Sequence, residues 1–196
     1  MELEWETILS SCIVGITTIF GIFLKEFAQN RKNRKKACIL TYTKQSENVE
    51  KAIKFILSEI GVDRAYVYEF HNGENFYSGN HQQKFSCTYE ALNTGVSSES
   101  SNLQNLRVST FNSFVKNVIR DLYFDVSDVR DIANPLLRNW FEQRGVQSSY
   151  SIPIKTLNKN IIGILNVDYT KKRDQLTKKE LDFIQNQAKI IGGYLI

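Results

Sequence analysis

The stretch from Thr7 to Leu24, TILSSCIVGITTIFGIFL, carries no charge, and nothing else in the chain restricts the possible folds so strongly. As a helix rising about 1.5 Å per residue it is about 27 Å long, close to the hydrocarbon thickness of a bilayer. It lacks the polar face that a helix lying on a soluble core needs. Trp5 stands at its edge, where an indole favours the lipid–water interface. Glu2, Glu4 and Glu6 precede it, while Lys25, Arg31, Lys32, Arg34, Lys35 and Lys36 follow. This asymmetry predicts a single-pass transmembrane helix over 7–24, with the acidic residues 1–6 outside and everything beyond residue 25 in the cytoplasm. The alternatives are a buried core helix and a cleaved signal peptide, which would want a basic start and a small-residue cleavage site. Gly15 and Gly21 are not spaced as GxxxG, so no helix-pairing face is expected from them.

Residues 25–38 form a basic connector that suits contact with anionic headgroups of the bilayer. Read as a nucleic-acid patch it lacks interleaved aromatics, and a net charge of +4 is too small to argue for one, so no nucleic-acid partner is expected. Cys12, Cys38 and Cys87 are odd in number and far apart, which predicts reduced thiols and no disulfide framework. Residues 39–196 have the length of one globular domain.

Val49, Ile53, Ile56 and Ile60 share one helical face, and Gly61 stops that helix. Continuous with the anchor, the 39–60 helix could carry motion or pair with a copy of itself. Val62–Phe70 alternates and reads as a strand, with His71-Asn72-Gly73 opening a loop to His81. Lys84–Ala91 is a second strand, and the Ser/Asn/Gln-rich residues 97–105 suggest a mobile loop. Phe111, Phe114, Val115, Val118 and Leu122 predict a helix capped by Ser109 or Thr110. A shorter helix has Asn134 as cap, Pro135 at its first position and a stripe of Leu136, Leu137, Trp140 and Phe141, with Gly145 ending it. Strands at 148–154 and 161–169 flank a hairpin at 157–160, and a short extra strand is expected near 123–126 or Val96. Thr177 and Glu180 form a capping box and Leu176 with Leu181 a hydrophobic staple, which starts the last helix. Connections this short require an antiparallel sheet.

VDRAYVYEF, RGVQSSYSIPI and NIIGILNVDYT running into LTKKELDFIQNQAKIIGGYL resemble a GAF domain, the small sensory module related to PAS. The resemblance covers about residues 46–196. It implies an α+β fold: a central antiparallel sheet of five or six strands, terminal helices on one face, and a ligand pocket on the other, roofed by the middle helices and loops. The NKFDE-type signature of cyclic-nucleotide phosphodiesterase GAF domains is absent. Cys87 lies inside a strand, unlike a bilin-attaching cysteine, and the cysteines of a free methionine sulfoxide reductase are missing. The resemblance therefore leaves the cofactor or ligand unnamed.

EFHNGENFYSGNH, residues 69–81, is rich in aromatic and hydrogen-bonding groups. His71, Asn72, Phe76 and Tyr77 could rim a pocket, with Ser86, Thr88, Tyr89 and Glu90 contributed by the next strand. The alternative is a structured turn shaped by Asn72-Gly73 in which His71 bonds locally. His71, His81, Cys87 and Glu90 match no compact metal motif, so neither a metal site nor catalytic residues are expected. The resulting expectation is a membrane-anchored sensory or regulatory protein, bound to a small molecule or protein partner and without a catalytic output domain. A homodimer could form through the 39–60 and 178–195 helices. The alternatives are a structural adaptor with an empty pocket and a ligand-sequestering protein or small enzyme.

Overall fold

Two antiparallel hairpins supply the centre of the fold. In the computed structural model the backbone is described for residues 2–76 and 78–196, and the side chains for 18–26, 39–76, 78–120 and 122–196. Strands β1 (Arg64–Asn75) and β2 (His81–Leu92) pair as one hairpin, and β5 (Ser148–Lys155) with β6 (Ile161–Tyr169) as the other. β1 also pairs with β6, and the short strands β3 (Leu106–Arg107) and β4 (Phe124–Val126) close the edges. The order β3-β2-β1-β6-β5-β4 makes a six-stranded, wholly antiparallel sheet.

Helix α1 spans Glu2–Ile60, α2 Asn112–Asp121, α3 Pro135–Glu142 and α4 Lys178–Tyr194. The chain divides into Met1–Lys44 and Gln45–Ile196. In the first unit, Ile19, Phe20, Ile22, Phe23 and Leu24 are exposed. Among the described residues no helix is long and apolar enough to cross a membrane. The expected span at 7–24 falls mostly on residues 7–17, whose side chains lie outside the described residues, as do those of 27–38 in the basic connector.

In the second unit the sheet separates two cores. Val49, Ile53, Ile56 and Ile60 of α1 pack with Ile184, Ala188 and Ile191 of α4 on one face, over Val67, Ile152, Leu165 and Val167. On the other face α2 and α3 place Phe114, Val118, Leu137 and Phe141 over Tyr66, Tyr68, Phe85 and Ile164. The terminal helices therefore share one face and the middle helices the other, as the resemblance implied. Two glycines set the spacing: a Cβ on Gly163 would collide with the Tyr68 carbonyl oxygen, and one on Gly192 with that of Lys155. The capping box forms as read: Thr177 Oγ1 accepts from the Glu180 amide at 3.3 Å, and Glu180 accepts from the Thr177 amide at 2.9 Å.

The sequence reading needs four corrections. First, β1 does not end at Phe70. The ladder with β2 continues to Asn75↔His81, because pairing along two 12-residue strands outweighs the local Asn72-Gly73 turn signal; the real turn is residues 76–80. Second, residues 97–105 are tied to β2 at Leu103 and Gln104, although most of their side chains are exposed. Leu103 is 1% exposed, its carbonyl accepts from the Cys87 amide, and Gln104 Nε2 donates to the Cys87 carbonyl at 2.7 Å. Third, α2 starts after Phe111, with no side-chain cap, and ends at Leu122 in the left-handed conformation (φ 67°). Fourth, Leu136 is 48% exposed, so the buried stripe of α3 is Leu137 and Phe141.

Candidate functional site

A bulge in β2 decides which residues reach which face. Val67 pairs with Tyr89 and Tyr68 with Cys87, leaving Thr88 without a partner in the ladder. One extra residue inverts the alternation beyond it. Phe85 and Cys87 thus face α2 and α3, whereas Tyr89 and Ala91 face the terminal helices.

Of the eight residues anticipated as a pocket, the seven described do not converge on one cavity. Tyr89 is directed at α1, where its hydroxyl lies 3.0 Å from Ser46 Oγ. Thr88 is exposed and donates to the Val67 carbonyl at 3.3 Å. His71 and Ser86 do meet, Nε2 to Oγ at 2.9 Å, and Ser86 Oγ also accepts from the Asn105 amide. By alternation both point away from Phe85. Asn72 accepts from Gln83 at 3.2 Å on the exposed end of the hairpin, and Phe76 is 49% exposed at the turn. Tyr77 lies outside the described residues. Glu90 has a different part: its carboxylate accepts from the Ser98 hydroxyl and from the Glu99 amide at 2.8 Å, pinning the 97–104 loop.

The polar site lies instead beneath α2 and α3. Ser149 and Ser151 alternate onto that face from β5, Asn166 and Asp168 from β6, and Tyr66 and Tyr68 from β1; all six are fully buried. Asn166 Oδ1 accepts from Ser149 Oγ at 3.2 Å and Ser151 Oγ at 2.5 Å, and its Nδ2 donates to Asp168 Oδ1 at 2.7 Å. Arg144 enters from the end of α3, its guanidinium stacked 3.7 Å over the Trp140 ring. Its Nη2 stands 3.8 Å from Asp168 Oδ2, an ion pair too long for a hydrogen bond. Arg64 Nη1 donates to the Arg144 carbonyl at 2.7 Å and so fixes the backbone from which Arg144 projects.

Six buried side-chain atoms in this cluster have no hydrogen-bond partner: Tyr66 Oη, Tyr68 Oη, Arg144 Nε, Nη1 and Nη2, and Asp168 Oδ2. An unpaired buried polar group costs about 1–3 kcal/mol, more when charged, so their concentration at one place singles out this cluster as the candidate site. Burial pushes the Asp168 carboxyl up, opposed by Arg144, and raises both tyrosines well above their usual range. The Cys87 thiol is pushed up to about 12 by burial, which leaves it a poor nucleophile. A cavity of about 320 Å³ opens beside the cluster, walled by Glu99, Asn102 and Leu103 of the loop and Trp140, Gln143 and Arg144 of α3 and its end.

Sequence reasoning placed these residues in strands without combining them. The available signal was two i, i+2 polar pairs, Ser149/Ser151 and Asn166/Asp168, on adjacent strands that are otherwise apolar. Arg144 belongs to a turn, and no periodicity identifies it.

A six-stranded antiparallel sheet with paired terminal helices on one face and a roofed polar site on the other defines a two-faced α+β module. The GAF domain profile matches residues 47–195, and the chain belongs to the GAF family. Among solved structures, the blue-light-absorbing PixJ GAF domain of Thermosynechococcus elongatus aligns with a TM-score of 0.64 at 15% identity, covering 79% of this chain and 86% of that one. The GAF region of a protein assigned as a membrane protein of Geobacter sulfurreducens gives 0.62 at 14%, covering 81% and 97%. A domain assigned to a two-component sensor histidine kinase of Sinorhizobium meliloti gives 0.56 at 15%, covering 76% and 88%. No curated protein matches the sequence.

Proposed function

We propose that this is a membrane-tethered sensory protein whose GAF domain takes up a small ligand on the sheet face roofed by α2 and α3. The observation that carries the reading is the cluster of unpartnered buried atoms on Tyr66, Tyr68, Arg144 and Asp168 beside a cavity. A ligand that satisfied them would convert a cost into binding energy. The tether is residues 7–24, whose uncharged run and basic flank support an outside N-terminus and a cytoplasmic GAF domain. The solved relatives include light-absorbing and sensor-kinase domains, which supports a sensory role without naming the ligand.

Two measurements test this. A broad metabolite panel, including nucleotides and tetrapyrroles, is screened by thermal unfolding of the purified full chain. A bound ligand at about 100 times its Kd adds about 2.7 kcal/mol of stability, and Arg144→Lys should remove the response. A response indifferent to Arg144 would place the ligand elsewhere. Separately, alkaline carbonate extraction should leave the full chain in the membrane fraction; recovery in the supernatant would refute the tether.

A second reading has its own observation. Phe55 on α1 and Ile190 on α4 are 46% and 37% exposed, and Ile39, Leu40 and Tyr42 of α1 are exposed as well. Two copies pairing through the 39–60 and 178–195 helices would cover them. Phe55→Glu should then shift the sedimentation profile to monomer without altering the ligand response.

A further inference from the structure

The polar cluster is closed to solvent. The cavity beside it is walled by Arg144 but by none of Tyr66, Tyr68 and Asp168, and the unpartnered atoms themselves are buried. A ligand reaches them only if part of the surrounding wall moves. Helices α2 and α3 are held by buried stripes, Phe114, Val115 and Val118 on the first and Leu137 and Phe141 on the second. The third part of the wall, residues 97–104, buries only Leu103. It lies between two left-handed residues, Gly95 (φ 85°) and Asn105 (φ 55°). A segment with so few buried apolar contacts opens at far lower free energy than the whole domain.

What holds this segment is polar, and much of it converges on one side chain. Glu90 stands opposite Tyr66 in the ladder, so it lies on the face of the cluster and at its border. Its carboxylate accepts from the Ser98 hydroxyl and from the amides of Glu99 at 2.8 Å and Ser100 at 3.4 Å, three charge-assisted bonds to consecutive residues. Arg64 Nε adds a bond to the Ser97 carbonyl at 3.2 Å, and Leu103 and Gln104 hold the backbone of Cys87. Cys87 packs in the same core as Leu103 and is 4% exposed.

We propose that residues 97–104 are a gate, latched shut by Glu90, whose opening gives a ligand access to Arg144 and the unpartnered atoms behind it. The use of the gate rests on the reading that the α2/α3 face is the ligand site. The cavity of about 320 Å³ between the loop and the end of α3 is then the mouth, and Leu103 the plug. Such a lid is drawn from the least stable part of a domain, where breaking a few surface bonds suffices.

The test uses the full chain in detergent with Cys12→Ser and Cys38→Ser, which leave Cys87 as its single thiol. Iodoacetamide at Cys87 and phenylglyoxal at Arg144 are the probes, each read by mass spectrometry, since both side chains are buried while the gate is shut. Expected is slow labelling of Cys87 at a rate nearly independent of urea at low concentration, the mark of local opening. Glu90→Gln should raise the rates at Cys87 and Arg144 about tenfold or more, because the charge that strengthens all three latch bonds is gone. The exposed Arg130 should react at an unchanged rate. Ser98→Ala removes one donor from the loop side, should raise both rates severalfold, and keeps the test open where the Glu90 variant fails to fold. Rates indifferent to both substitutions, or labelling that follows global unfolding in urea, overturn the gate even where a ligand dependent on Arg144 is found. Faster labelling with no ligand that depends on Arg144 leaves the gate standing and overturns the ligand reading instead.

Discussion

The two faces of one sheet obey different rules. Strand β6 shows it residue by residue: Leu165 and Val167 point into the helix-covered core, while Asn166 and Asp168, one position on, point under α2 and α3. On the helix-covered face the hydroxyls have partners, Tyr89 with Ser46, Tyr169 with the Ile60 carbonyl and Tyr150 with the Asp174 carbonyl. On the opposite face, among the described residues, all six unpartnered buried side-chain atoms are gathered. Strand alternation lets one segment be optimised for cohesion on one side and give up stability on the other. The first face is where the domain is held together, and the second is where it has something left to bind.

That contrast can be broken most forcefully at Ile53, fully buried between α1 and the sheet. Ile53→Ala should cost about 3 kcal/mol in urea unfolding through the lost methylenes and the cavity left behind. Gly192→Ala should follow at about 2 kcal/mol, since the new methyl forces α4 off the Lys155 carbonyl. Across the sheet the double variant Arg144→Met with Asp168→Leu should cost no more than about 1 kcal/mol, because both desolvated charges go together and this offsets the acceptor that the buried Asn166 amide loses. A loss as large as that of Ile53→Ala would make the polar cluster a structural element and erase the distinction.

The same pair has a pH signature. Burial raises the Asp168 carboxyl in the folded state, so its contribution favours folding below its unfolded value and is lost as the pH rises through the raised one. Asp128 is the reverse: hydrogen bonds from Arg130 and Lys172 hold it below the ordinary carboxylate range, and its stabilisation is present at neutral pH and lost in acid. Asp168→Asn should therefore gain relative to the unmodified protein between pH 3 and pH 7, and Asp128→Asn should lose (about pH 4 being the unperturbed carboxylate region). Parallel pH–stability curves for the two variants would contradict the opposite environments assigned to them.

Elements written in local signals were legible before any coordinates. The T-x-x-E box, the Asn134-Pro135 start and the apolar faces of α1 and α4 each depend on residues a few positions apart. The site did not share that advantage. His71 and Tyr89 stood out because they are conspicuous residues near a turn motif, yet the ladder carried β1 through that motif and the Thr88 bulge turned Tyr89 to the other face. Arg144 and Asp168 are brought together by α3 and by sheet register, and neither leaves a periodic trace. The membrane segment is the opposite case, a reading carried by the sequence and by no described contact.

The smallest effect sharpens the comparison at the roof itself. Leu122 ends α2 in the left-handed region (φ 67°, ψ 2°), where a side chain with a Cβ is disfavoured by about 1–2 kcal/mol. Leu122→Gly relieves that cost but frees the unfolded chain, which takes back about 0.4–1 kcal/mol. The side chain is 49% exposed, so little burial is forfeited. The net expectation is a gain of about 0.5–1 kcal/mol, read as a higher urea midpoint with unchanged slope. The terminal helices offer no equivalent at their junctions, because Gly61 already occupies the left-handed position after α1 (φ 61°). Strain accepted at the end of α2 and relieved at the end of α1 matches the division between a face that retains unpaired groups and a face that does not. A drop on Leu122→Gly would mean that its half-exposed side chain anchors the roof, and the strain would then serve packing.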